Sequence, residues 1–171
     1  TTSMILHVLQ YHDLAFDYLV GAQLDGFDKM VQLSDAPILV AEGDEYPSSP
    51  IDLRPKILNY QPQIAIITGI AWDHINVFPT FDIYVDQFRQ FLDTLANDGT
   101  LIYYEPDEHL RQLLAEKKYP FETIAYTAFD AKVVTNQTQL IMPSGKTASL
   151  QVFGAHNLAN LNAAWLACRQ I

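Results

Sequence analysis

The sequence predicts an α/β domain: a mainly parallel sheet flanked by helices, with a small antiparallel β meander near its carboxyl end. Three observations carry this. Short apolar, β-branched runs alternate with segments whose apolar residues recur at three and four positions, the pattern of βαβ units. Two of those runs, Ile38-Leu39-Val40-Ala41 and Ile64-Ala65-Ile66-Ile67, lead into polar and acidic residues, and ligands of open α/β sheets bind at such strand ends. Beyond residue 127 the spacing contracts to three short strands joined by turn residues.

The first element is a helix over residues 3–11, with Ile5 and Leu9 on one face. Pro37–Ala41 reads as a strand. Four prolines (Pro47, Pro50, Pro55 and Pro62) then exclude anything longer than a short helix. Gln63–Thr68 reads as the second strand. Phe81, Tyr84, Val85, Phe88, Phe91, Leu92 and Leu95 mark a strongly amphipathic helix, which Asn97-Asp98-Gly99 stops. Thr100–Tyr104 is the third strand. Pro106 fits the first position of the next helix, whose face is Leu110, Leu113 and Leu114, and Phe121–Tyr126 is the fourth strand. Lys132–Thr135, Gln139–Met142 and Ser149–Val152 form the meander, turning at Asn136-Gln137 and Ser144-Gly145. A last helix opens at Gly154-Ala155-His156-Asn157, with Leu158, Leu161, Trp165 and Cys168 expected on its buried face. The expected organisation is an α/β core over roughly 1–127, the meander over 128–153 and the helix over 154–171. Thr1-Thr2-Ser3-Met4 runs straight into a helical pattern and Ile171 closes one without a cap, so the chain is expected to be a piece of a longer protein.

Composition narrows the function. The 171 residues are 49% hydrophobic and 18% charged, which is globular rather than disordered. A net charge of -10 argues against nucleic-acid binding, which needs Lys and Arg to meet phosphates. It leaves a nucleotide ligand open, because backbone N–H groups and a metal ion can carry phosphates. The lone Cys168 excludes an internal disulfide and fits a reducing, cytoplasmic setting. No apolar run reaches membrane-spanning length, and residues 1–10 carry no signal-peptide pattern.

Three clusters can carry chemistry. Glu42, Asp44 and Glu45 follow the first parallel strand, with Gly43 permitting a turn. Three carboxylates so close need a cation or solvent between them, so this is a metal-binding acid or a solvated loop. Asp73-His74 follows the second strand; there the imidazole is either a metal ligand oriented by its neighbour or a structural histidine. His156, Asn157 and Asn160 stand at the start of the last helix. His156 and Asn160, four apart, share a face and can hydrogen-bond a nucleobase edge, while His156 or Asn157 can equally be an N-cap. Arg54 and Lys56 either meet an anionic substrate or are solvated. His7, His12 and His109 read as surface or helix-packing residues, and Tyr60, Trp72 and Phe78 as core or pocket wall.

Together these stretches resemble the central, ATP-binding domain of the Mur ligase family. Ala41-Glu42-Gly43-Asp44-Glu45 resembles the family's E-A-D-E segment and Asp73-His74 its D-H element. Gly154-Ala155-His156-Asn157-Leu158-Ala159-Asn160, followed by Asn162-Ala163-Ala164, resembles the G-x-H-N-x-x-N signature and its alanine-rich helix. Thr1-Thr2-Ser3-Met4 resembles the threonine-rich helix start that follows the family's G-T-H-G-K-T loop. The four matches fall in the family's order. Two departures touch the pocket lining: Thr68-Gly69 stands where the family often has Thr-Asn, and Gly43 where it often has Ala.

The resemblance implies an ATP- and Mg2+-dependent ligase that activates UDP-N-acetylmuramate as an acyl phosphate and transfers it to an amine. It implies Glu42 and His74 as magnesium ligands, His156 and Asn160 with Asn157 at the nucleotide, and Asp44, Glu45 and Arg54 near the site without firm roles. Glu45-Tyr46 followed by Asp52-Leu53-Arg54-Pro55-Lys56 resembles the recycling branch, whose acceptor is the murein tripeptide L-Ala-γ-D-Glu-meso-diaminopimelate. The alternatives are the branch that adds L-alanine, a folylpolyglutamate synthase-like ligase, and a non-catalytic nucleotide-binding module. The phosphate-binding loop, the nucleotide-sugar domain and the carboxyl-terminal domain of the family fall outside the sequence, so the chain alone is expected to be inactive and to hold no catalytic metal. A G-x-x-G-K-T motif just upstream of Thr1 would separate enzyme from module.

Overall fold

The computed structural model describes residues 1–73, 75–135, 137–142 and 144–171. The elements run α1 (Thr2–Tyr11), β1 (Phe16–Leu19), β2 (Val31–Gln32), β3 (Ile38–Ala41), a 3-10 turn (Lys56–Asn59), β4 (Ile64–Ile67), α2 (Phe81–Leu92), β5 (Thr100–Tyr104), α3 (Glu108–Ala115), β6 (Glu122–Tyr126), β7 (Ala131–Val134), β8 (Gln137–Ile141), β9 (Thr147–Leu150) and α4 (Ala155–Cys168). Every predicted element is present within a few residues. Two strands, β1 and β2, were not expected.

The parallel strands fall into two three-stranded sheets, β2-β1-β3 and β4-β5-β6. In the first, β1 runs parallel to β3 with Phe16 opposite Ile38 and Leu19 opposite Ala41, and β2 is antiparallel to β1. The second is wholly parallel, with Ile64 opposite Thr100 and Thr100 opposite Glu122. Among the described residues no strand pairs β3 with β4. The meander is a separate antiparallel sheet, β7-β8-β9.

Side chains alternating across β4 and β5 build two apolar layers, as the period of a strand requires. Ala65, Ile67 and Leu101 face Tyr84, Phe88 and Leu92 of α2 and Leu110 and Leu113 of α3. Ile64, Ile66 and Ile102 face the opposite layer, where Ile5 and Leu9 of α1 meet Ala159, Ala163, Ala164 and Ala167 of α4. Ile38 and Val40 of β3 join that second layer, so the helices α1 and α4 underlie both sheets. The other face of β3 is uncovered, and Leu39 is 60% exposed.

Two local expectations are corrected. The buried face of α4 is Ala159, Ala163, Ala164 and Ala167, not Leu158, Leu161, Trp165 and Cys168, which are only partly buried. Trp165 instead meets the Phe129 ring edge-on and carries the Arg169 guanidinium over its face. Pro106 is not the first residue of α3: Asp107 is the N-cap, its Oδ1 accepting the Leu110 N–H at 2.8 Å. Cys168 packs against the second layer, and burial pushes its thiol pKa up. No helix is long and apolar enough to cross a membrane among the described residues.

Leu101 is fully buried, so Leu101→Ala is expected to cost about 2–5 kcal/mol in urea unfolding. Leu39→Ala on the uncovered face should cost under about 1 kcal/mol. Equal losses would mean that something covers β3 in solution.

Candidate active site at the carboxyl ends of the strands

β1 and β3 end together. The Glu42 N–H donates to the Leu19 carbonyl at 2.8 Å, extending the ladder by one residue. This projects the Glu42 side chain across the end of β1, where its Oε2 accepts the Gly21 N–H at 2.6 Å. A β-carbon on Gly21 would lie 3.2 Å from that oxygen, so the glycine permits the close approach. Oε1 accepts no hydrogen bond among the described residues.

A cleft of about 500 Å³ opens here, lined by Leu19 to Gly21 on one side, Glu42 to Tyr46 on another, and Lys56 and Tyr60. The three carboxylates are not left to repel one another. Asp44 accepts the Tyr46 N–H through Oδ1 and the Lys56 ammonium through Oδ2, at 2.8 and 2.9 Å. The carboxylate raises the Lys56 pKa, which fixes the cation in its charged form. Lys56 thereby ties the proline-rich segment to the acidic turn, reinforced by the Pro47–Pro55 bridge and the Lys56 N–H on the Tyr46 carbonyl. Glu45 lines the same cleft. Arg54 does not: its guanidinium is paired with Asp52, whose carboxyl it lowers to about 2.

The loop after β4 is held from the neighbouring strand end. Asp107 Oδ2 accepts the Ile70 N–H at 2.8 Å while its Oδ1 caps α3. Gly69 has φ +148, and a β-carbon there would sit 3.1 Å from the same carboxylate. The Trp72 indole N–H closes the loop on the Phe78 carbonyl at 3.1 Å. Asp73 is exposed, and His74 lies outside the described residues.

At the start of α4, Gly154 is the N-cap with φ +87 and no side-chain cap forms, so neither His156 nor Asn157 caps the helix. Asn157 Nδ2 donates back to the Phe153 carbonyl at 2.7 Å. His156 is exposed beside Gly154. One turn on, Asn160 Oδ1 accepts the Thr1 hydroxyl at 2.9 Å. The structure thus pairs Asn160 with Thr1 and places Glu42 in the cleft with Asp44 and Glu45. It does not bring Arg54 into the cleft.

Among the described residues no group of three His, Cys, Asp or Glu side chains is arranged to hold a metal ion. Mg2+ usually takes only one or two carboxylates and fills its octahedron with water and substrate phosphate oxygens. A carboxylate pinned by one oxygen, with the other accepting nothing, fits that demand.

Sequence reading missed Gly21 and Asp107. Asp107 carried a readable signal, an Asp immediately before a helical pattern. Gly21 carried none, because its role depends on the register between β1 and β3.

Two sheets on a shared helical layer, with polar groups collected at the carboxyl ends of β1, β3 and β4, define an open α/β domain of the kind that binds ligands at its strand ends. The Mur ligase middle domain model matches residues 35–168, and the chain belongs to the Mur ligase family. A UDP-N-acetylmuramate–L-alanyl-γ-D-glutamyl-meso-2,6-diaminoheptandioate ligase of Haemophilus influenzae is 28% identical over 67% of the chain and 25% of its own length. A UDP-N-acetylmuramate–L-alanine ligase of Rubrobacter xylanophilus is 30% identical over 96% of the chain and 36% of its own length. The chain therefore spans about a quarter to a third of these relatives. Among solved structures, the UDP-N-acetylmuramate:L-alanyl-γ-D-glutamyl-meso-diaminopimelate ligase of Neisseria meningitides superposes with a TM-score of 0.83 at 24% identity, over 98% of this chain and 56% of that one. The MurF ligase of Thermotoga maritima in complex with ADP gives 0.70 at 16%, over 99% and 42%.

Asp107 joins two elements through one carboxylate. Asp107→Ala should lose about 1–3 kcal/mol in urea unfolding, more than Thr80→Ala at the N-cap of α2, which breaks a single 3.3 Å bond. Equal losses would show that the bond to Ile70 contributes nothing.

Proposed function

We propose that the full-length protein containing this chain is an ATP-dependent ligase that joins UDP-N-acetylmuramate to the tripeptide L-Ala-γ-D-Glu-meso-diaminopimelate in peptidoglycan recycling. The observation that carries this is the position of Glu42, pinned over the end of β1 on the wall of the cleft, in a chain of the Mur ligase family. A carboxylate is a poor acylating agent, so the lactyl carboxylate first takes the γ-phosphoryl group of ATP and releases ADP. The amine of the incoming peptide then attacks the acyl carbon, phosphate leaves with the C–O bond electrons, and the amine loses its proton. Phosphoryl transfer of this kind is catalysed by positioning and charge neutralisation.

Glu42 and His74 would hold Mg2+, which when bound neutralises charge on the transferring phosphoryl group. Gly21 keeps the Glu42 carboxylate at the strand end. His156, Asn157 and Asn160 lie on the nucleotide side, at the start of α4. The Asp44–Lys56 pair keeps the acidic turn folded, with Glu45 on the cleft wall. The single cysteine and the soluble nucleotide substrates fit a cytoplasmic enzyme.

The tripeptide is supported by the Glu45-Tyr46 and Asp52–Lys56 segments and by the Haemophilus relative. L-Alanine is the second reading, favoured by the Rubrobacter relative, which aligns over 96% of the chain. Phosphate release by the full-length protein, with UDP-N-acetylmuramate and either acceptor, distinguishes them: the tripeptide is expected to drive turnover and L-alanine to give little. Glu42→Ala and His74→Ala should each lower that rate by roughly a hundredfold or more, since charge neutralisation by a metal ion is worth several kcal/mol. Parental rates in both variants would remove the metal assignment.

A further inference from the structure

The proline-rich segment carries two cations, Arg54 and Lys56, and the structure treats them differently. Arg54 closes on its own segment: Nε and Nη2 donate to the two oxygens of Asp52 at 3.0 and 2.8 Å, away from the cleft. Lys56 lines the cleft, and among the described residues it is the only lysine or arginine that does. Its main-chain N–H donates to the Tyr46 carbonyl at 3.0 Å and its ammonium to Asp44 Oδ2 at 2.9 Å. Asp44 shares its charge with a second donor, the Tyr46 N–H. A lysine ammonium has three N–H donors, and the bond to Asp44 is the only one it makes among the described residues. The side chain remains 42% exposed. A long, ordinarily mobile side chain is thus held in place at the cleft wall with donors to spare.

The other charged groups lining the cleft are the carboxylates Glu42, Asp44 and Glu45. In a ligase that activates UDP-N-acetylmuramate, the lactyl carboxylate has to enter this acidic cleft and approach the γ-phosphoryl group, an anion meeting an anion. A metal ion acts on the phosphoryl oxygens. The carboxylate, leaving bulk water, needs a cation of its own, because an unpaired charge taken out of water is costly. We propose that Lys56 binds the lactyl carboxylate of UDP-N-acetylmuramate, with Asp44 holding the ammonium in position. This rests on the ligase reading and applies whichever acceptor is used.

The test titrates the full-length protein calorimetrically with UDP-N-acetylmuramate and with UDP-N-acetylglucosamine, which lacks the lactyl group. Lys56→Met should weaken UDP-N-acetylmuramate by about ten- to a hundredfold, the effect of one hydrogen bond to a charged group. It should leave UDP-N-acetylglucosamine within about twofold of the parent, a readout that a merely structural lysine would not separate. Arg54→Met, which removes the other cation of the segment, should bind both as the parent does. The double variant Asp44→Asn with Lys56→Met leaves no carboxylate without its cation and should show the same selective loss. Equal weakening of both sugar nucleotides, parental affinity in Lys56→Met, or an equal loss in Arg54→Met would overturn the proposal. So would recovery of parental affinity in the double variant, which would trace the loss to an uncovered Asp44. If Lys56→Met does not fold, the double variant decides by the same selective loss. A parent protein that binds neither sugar nucleotide removes the ligase reading and this proposal together, whereas a parent that binds UDP-N-acetylmuramate as well as Lys56→Met does removes this proposal alone.

Discussion

The structure depends on one packing constraint, the close approach of α1 and α4 beneath two separate sheets. No strand pairing joins β3 to β4 among the described residues, so hydrogen bonds do not hold the sheets together. A common apolar layer does. Ile38 and Val40 from one sheet and Ile64, Ile66 and Ile102 from the other rest on Ile5, Leu9 and the alanines of α4. Alanine suits this position because its side chain loses no rotamer freedom on burial and lets neighbouring backbone come near. The carboxyl ends of β1, β3 and β4 are therefore placed relative to one another through the helices beneath them.

At those ends the carboxylates are fixed by main-chain N–H groups. Glu42 is held by Gly21, Asp44 by Tyr46 and Asp107 by both Ile70 and Leu110. Charge-assisted bonds of this kind are among the stronger ones available, and a backbone donor contributes no side-chain entropy cost. They also resolve the electrostatic problem of the acidic turn. Asp44 is neutralised by Lys56, while one carboxylate oxygen of Glu42 accepts no hydrogen bond among the described residues. The two glycines beside carboxylates, Gly21 and Gly69, sit where a β-carbon would crowd the oxygen.

Much of this was legible in the sequence. The four parallel strands, the helices α2 and α3, and the meander announce themselves by period and punctuation, because short β-branched runs and amphipathic helices have distinct apolar patterns. The positions of the acidic turn at a strand end and of the histidine–asparagine segment at a helix start were also legible, since both follow from where the apolar patterns stop and start. β1 was not. Its run Phe16-Asp17-Tyr18-Leu19 is broken by a charged residue, and Asp17 is tolerable in the interior only because Ser34 donates both its N–H and its hydroxyl to the carboxylate, at 2.7 and 2.8 Å. The buried face of α4 does not follow side-chain size. Leu158, Leu161 and Trp165 are the larger side chains, but the narrow space beneath the sheets admits alanine.

The sequence by itself determined the secondary structure, the order of the elements and the kinds of groups at the strand ends, because those follow from local periodicity, capping and turn chemistry. Only the tertiary structure decided which groups meet. Glu42 reaches Gly21 across a parallel register, Asp107 reaches Ile70 from a neighbouring strand end, and Thr1 reaches Asn160 from the far end of the chain. Arg54 turns to Asp52 instead of the cleft. Each pairing is set by distances between elements, which depend on how closely side-chain volumes let helices and sheets approach, and the local pattern of a sequence does not contain those distances.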